Sequence, residues 1–144
     1  MNAPEPVNPI TPHATGHAFG YVECGVLLPH EATVPERLEA LRNQLVHEGV
    51  LYRPVIVDRD SMVILDGHHR VRILTEMGCA LIPVYLVNYG DPEIRVHSRR
   101  PEIAVSKQSV VQRGVRREPY PARTSRHEFC ESLIPRPTRL DGLR

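Results

Sequence analysis

Asp66-Gly67-His68-His69-Arg70 places one carboxylate, two imidazoles and one guanidinium within five consecutive residues. The apolar run Val63-Ile64-Leu65 before it reads as the end of a β-strand, and Gly67 permits a tight turn. Val71, Ile73, Leu74 and Met77 suit a short helix closed by Gly78. At a strand-to-helix turn the first helical N–H groups lack intrahelical partners and carry the positive end of the helix dipole, so an anion is the expected guest. Gly67, His68, His69 and Arg70 are therefore candidate phosphate-binding residues. Asp66 could hold Mg²⁺ directly or through water, orient a neighbouring histidine, or cap the helix. Adjacent histidines at a helix start point in different directions, which argues against a zinc site made by both.

A second polar cluster lies far away in the chain. Tyr120-Pro121-Ala122-Arg123-Thr124-Ser125-Arg126-His127 has neither helical nor strand period and packs two guanidiniums, two hydroxyls and an imidazole together, as an anion-binding loop would. Formal charge supports an electropositive C-terminal arm. Residues 1–94 hold 6 Lys/Arg against 12 Asp/Glu, whereas residues 95–144 hold 12 against 5. Such an arm could grip nucleic acid, cover an anionic small-molecule site, or be a solvated surface.

The elements that must position these residues are those of a single domain. With 144 residues, 41% hydrophobic and 24% charged, the chain has room for one moderate core. Residues 1–18, with prolines at 4, 6, 9 and 12, read as a disordered lead-in without the basic and apolar segments of a signal peptide. Residues 19–134 form the expected domain, and 135–144 an irregular tail. Phe19 to Val26 reads as a strand. Thr33 looks like an N-cap with Glu36 three residues on, opening a helix whose face is Leu38, Leu41, Leu45 and Val46 and which ends at Gly49. Arg53–Val57 and Met62–Leu65 are strands around a turn at 58–61, and Ile82–Val87 is another. Ile94–Ser98 suits a short strand, Ile103–Arg113 a helix ending at Gly114, and the patch Phe129–Ile134 a docking segment. No apolar run approaches the ~20 residues that span a bilayer. Three cysteines, 24, 79 and 130, without a CxxC pair, favour reduced thiols and a cytoplasmic setting.

Pro29-His30-Glu31 before a helix, Arg53-Pro54-Val55-Ile56-Val57, Val63 to Arg70 and Arg123-Thr124-Ser125-Arg126-His127 occur in an order that resembles the free L-serine kinases of the ParB/sulfiredoxin-like superfamily. The resemblance covers roughly residues 19–99 and 107–134. It implies an α+β fold, a small mixed β-sheet with packed helices, and transfer of a phosphoryl group from ATP or ADP to the hydroxyl of free serine, giving O-phosphoserine. It implies Glu31 as catalytic base, a residue that would otherwise pass for surface glutamate, and Arg123, Thr124, Ser125, Arg126 and His127 as the substrate grip. Asp66, by its own chemistry at the turn, is the second expected catalytic carboxylate and the Mg²⁺ holder. The expected partners are a nucleotide and a small hydroxyl amino acid, with neither nucleic acid nor membrane.

The chain departs from the family at four points. Arg123 and Ser125 stand where lysine and threonine are usual, Arg99 stands near an expected aromatic, and a segment of several tens of residues before the late motif is missing. Arg99 leaves open a different small hydroxyl compound as acceptor. The alternative is a ParB-like nucleotide-binding module or DNA-binding regulator without turnover. Gly67-His68-His69-Arg70 differs, however, from the Gly-Glu-Arg-Arg usual there, and no helix-turn-helix fits the rest of the chain. A sulfiredoxin-like reductase needs a cysteine just before His-Arg, where this chain has histidine.

Overall fold

A computed structural model describes residues 11–12, 17–129 and 133–144. In chain order its elements are β1 (Thr11–Pro12), β2 (Ala18–Glu23), α1 (Pro35–Glu48), β3 (Val50–Leu51), β4 (Val55–Asp58), β5 (Ile64–Asp66), α2 (His68–Glu76), β6 (Leu81–Val87), β7 (Arg95–Ser98), α3 (Lys107–Arg116), β8 (Ser125–Glu128) and β9 (Thr138–Arg139). Five strands form one mixed sheet in the order β1-β2-β6-β4-β5. β4 and β6 run parallel, and the other pairs antiparallel.

The two central strands are apolar without alternation because both of their faces are covered. Val55, Val57, Ile82, Val84 and Leu86 point into a core closed by Leu45 of α1 and by Ile73 and Leu74 of α2. Ile56, Tyr85 and Val87 point the other way, onto Val110 of α3 and Tyr120. Gly114 makes the α3 contact possible. A β-carbon there would lie 2.6 Å from a Val63 methyl, so only glycine lets the helix approach β5 so closely.

That packing corrects the sequence reading of Gly114, which lies inside α3 and does not end it. The helix instead opens on Ser106 with a reciprocal Ser106–Ser109 capping box and closes on Arg117 in the left-handed region. Thr33 is not the N-cap of α1; Val34 is, with no side-chain cap, and Val46 is 70% exposed and lies off the buried face. Cys24–Val26 leaves the strand as a 3-10 turn. The tail is ordered as well. Thr138–Arg139 pairs with Val50–Leu51, and Leu140 and Leu143 bury their side chains in the core. Most of the expected disordered lead-in lies outside the described residues, but β1 pairs with β2 within it. Phe129 and Leu133 do pack against the second core, Ile134 is 57% exposed, and residues 130–132 lie outside the described residues. Among the described residues no helix is long and apolar enough to cross a membrane.

Candidate active site

The β5–α2 turn forms one wall of a cleft of about 520 Å³. Gly67 sits there at φ 112°, and a β-carbon on it would meet the Arg70 guanidinium at 2.8 Å and Val55 at 3.1 Å. Arg70 folds back over the glycine toward Asp66, 3.3 Å away, and the Arg53 carbonyl at 3.4 Å. Asp66 stays 59% exposed at the cleft and does not cap α2, whose N-cap is Gly67 with no side-chain bond.

The two histidines of the turn have structural work. His68 Nε2 accepts the backbone N–H of His30 at 3.1 Å, and His69 Nε2 accepts that of Val34 at 2.9 Å. Each acceptor nitrogen must be unprotonated, so each ring is a neutral Nδ1–H tautomer. Burial is the main cause holding both below the ordinary value, well below it for His68. Together they clasp the irregular segment 30–34 at both ends. Tyr120 supports its middle, donating to His30 O at 2.8 Å and accepting from Ala32 N at 2.9 Å. Leu28 ties its start to β5 through Ile64 N at 2.8 Å. A loop without regular structure is thereby tied to α2, β5 and Tyr120 by hydrogen bonds.

Glu31 is what this loop presents. Its Oε1 accepts from Thr124 N at 3.1 Å, Ser125 N at 2.7 Å and Ser125 Oγ at 2.9 Å. Its Oε2 takes no hydrogen bond among the described residues, and the side chain lines the cleft. The donors come from the late polar cluster, which is not the irregular loop expected. Ser125–Glu128 is a strand paired antiparallel with Arg95–Ser98, and that pairing carries Arg99 to the cleft, its amide 2.7 Å from Thr124 O.

Of the residues assigned to the substrate grip, Ser125, Arg126 and His127 line the cleft. Arg123 and Thr124 do not; Thr124 is fully buried with its hydroxyl 2.6 Å from Pro121 O, and it serves the site through its amide. His127 is held by Tyr89 at 2.8 Å and stacked on Phe129, and burial pushes its imidazole down to about 3. Sequence reasoning missed three contributors. Arg37, in the first turn of α1, reaches the cleft, as does Phe129. His30, fully buried, donates from Nδ1 to Ile64 O at 2.6 Å and sets Nε2 2.8 Å from Ser125 Oγ. No local signal marks Arg37, whereas His30 was visible beside Glu31 as a polar residue inside a short motif.

The cleft thus joins one held carboxylate, one exposed carboxylate and the guanidiniums of Arg37, Arg70, Arg99 and Arg126. It can take a polyanion and remove a proton from a hydroxyl beside it.

No family model matches the chain. Over 86 residues it is 34% identical to the ATP-dependent L-serine kinase of Staphylothermus marinus, covering 57% of this chain and 34% of that protein. Over 99 residues it is 27% identical to the ADP-dependent L-serine kinase SerK of Thermococcus kodakarensis, covering 66% and 41%. A ParB-like protein of Sulfolobus acidocaldarius is 38% identical over 74 residues, covering 49% and 35%. The matched stretch therefore spans only about a third to two fifths of these relatives. Among solved structures, free serine kinase in complex with AMP superposes with a TM-score of 0.80 at 15% identity, covering 99% of this chain and 100% of that one. A C-terminally truncated SbnI from Staphylococcus aureus gives 0.68 at 13%, covering 81% and 87%. The α+β architecture expected from the sequence, a small mixed sheet with packed helices, is observed, and it is the fold shared with free serine kinase and SbnI.

Proposed function

We propose that the protein is a free L-serine kinase, transferring a phosphoryl group from ATP or ADP to the serine hydroxyl to give O-phospho-L-serine. The observation that carries this is Glu31, pinned through one oxygen by three donors while the other is left for a substrate proton. Similarity to L-serine kinases that use ATP and ADP supports the reaction class. The serine O–H bond breaks as Glu31 Oε2 takes the proton, the serine oxygen bonds to phosphorus, and the bond from phosphorus to the departing nucleotide oxygen breaks. Arg37, Arg99 and Arg126, which line the cleft, offset the charge of the transferring group, and Ser125, Arg126 and His127 on the same cleft hold the amino acid.

Asp66 would hold Mg²⁺. Its exposed carboxylate at the cleft suits an ion held by one carboxylate, waters and substrate phosphates. When bound, Mg²⁺ supplies charge neutralisation at the phosphates. Nearby Arg70 competes for the same carboxylate only weakly, at 3.3 Å.

The test is ³¹P NMR of the protein with Mg²⁺, ATP or ADP, and L-serine. A phosphomonoester that requires serine is expected, with Glu31→Gln lowering turnover by at least ~100-fold while nucleotide affinity stays unchanged. Nucleotide bound without any product would favour the ParB-like binding module instead. Nucleotide consumption without phosphoserine would move the acceptor to another hydroxyl compound, with Arg99 the residue to examine.

A further inference from the structure

The Ser125 hydroxyl has one proton and two acceptors, Glu31 Oε1 at 2.9 Å and His30 Nε2 at 2.8 Å. Geometry places the proton of His30 on Nδ1, which lies 2.6 Å from the Ile64 carbonyl, a group that can only accept. With burial holding the ring neutral, Nε2 presents a lone pair toward Ser125 Oγ. His30 is 0% exposed, and no solvent reaches that lone pair. Ser125 therefore serves Glu31 or His30, never both at once.

We propose that Ser125 is a two-position hydroxyl switch through which His30 sets the proton affinity of Glu31. While Glu31 is ionised its charge holds the Ser125 Oγ–H, and His30 Nε2 is left without a donor. When Oε2 takes the substrate proton, one O–H bond breaks at the substrate and one forms on Glu31. Oε1 then becomes a weaker acceptor, and the Ser125 O–H turns to His30 Nε2. No proton leaves Ser125 and His30 stays neutral, in keeping with the burial that lowers its pKa. A buried lone pair without a donor is costly, so His30 competes with Glu31 for the one Ser125 hydroxyl proton. His30 acts through Ser125 and is a positioning residue. The proposal deepens the kinase reading, from which it takes only that Glu31 accepts the substrate proton. The titratable rings facing His30 are His68 of α2, 4.5 Å between centroids, and His127 of β8, 5.7 Å, and Glu31 adjoins it on its own loop.

The test compares Ser125→Ala, Ser125→Thr and His30→Phe in the full chain. The readouts are the Glu31 carboxyl titration by ¹³C NMR, assigned with Glu31→Gln, and the acid limb of the kcat pH profile. Loss of the donor in Ser125→Ala should raise the midpoint, and loss of the competing acceptor in His30→Phe should lower it, each by about tenfold in proton affinity. Ser125→Thr should restore the wild-type value. Shifts in the same direction, or none beyond about twofold, would overturn the switch. If His30→Phe does not fold, ¹⁵N NMR of the wild-type imidazole decides. The Nε2 signal should gain hydrogen-bonded character as Glu31 is protonated, and a signal that does not respond overturns the proposal. Failure of the wild type to phosphorylate serine would overturn the kinase reading, whereas opposed carboxyl shifts would still support the switch.

Discussion

In the Asp66–Arg70 turn, side chains serve backbone: His68 accepts an amide of the Glu31 loop and His69 accepts another. In the 124–128 segment opposite, backbone serves a side chain, since the amides of Thr124 and Ser125 hold the Glu31 carboxylate. The first region looks chemical in sequence and is half scaffold. The second has one residue chosen for its side chain, Thr124, that contributes through its main chain instead, and another, Ser125, that contributes through both. Both converge on one loop between residues 28 and 34, which has no regular structure of its own. The lesson is that residue type reports what a side chain can do, while its partners decide which of those abilities is used.

Acidification should break both regions together and produce the largest effect. Burial holds His30, His68, His69 and His127 below the ordinary 6.5, His127 at about 3. The folded state therefore binds fewer protons than the unfolded chain. Stability is complete above about pH 6.5 and declines as pH falls from there toward the folded values, a loss extending to about pH 3 for His127. Urea titrations between pH 7 and 4 should show a falling midpoint; a flat profile would mean that these rings titrate normally and are not held neutral.

Gly67→Ala would break the turn alone. A side chain at φ 112° within 3.1 Å of both Arg70 and Val55 should cost about 3 kcal/mol and displace the Arg70 guanidinium, read as lost stability and weakened nucleotide affinity. The pair His68→Ala and His69→Ala sharpens the contrast further. The first orphans the amide of fully buried His30, at about 2 kcal/mol. The second orphans the Val34 amide at the exposed start of α1, at about 1 kcal/mol. Both should lower kcat beyond the stability loss, because Glu31 rides on the loop they hold. If these variants weaken nucleotide binding and leave kcat intact, the imidazoles are phosphate ligands, as the sequence alone implied.

Much of this was legible before the fold was known. The apolar run of β4 and β6, Gly49 and Gly78 at left-handed helix ends, and the strand-to-helix turn at Gly67 follow from local rules of burial, backbone freedom and period. Glu31 came from the resemblance in motif order and from no local rule, whereas Asp66 stood out by its place at the turn. Less legible were elements whose local pattern is weak. β8 was invisible as a strand because its residues, Ser-Arg-His-Glu, are half-exposed and polar, and its pairing with β7 spans about 30 residues of chain. The C-terminal tail looked irregular because its order comes from distant Val50 and Leu51.

By itself, then, the sequence determined which segments bury, where the backbone turns, and which side chains are able to carry charge or protons. Those properties depend on a residue and its near neighbours. Tertiary structure alone decided that two imidazoles accept amides 35 and more residues away, that Arg37 and Arg99 enter one cleft, and that Ser125 stands between Glu31 and His30. Hydrogen bonds are short and directional, so whether a group serves as ligand, clamp or switch depends on ångström-scale placement that only packing of the whole chain sets.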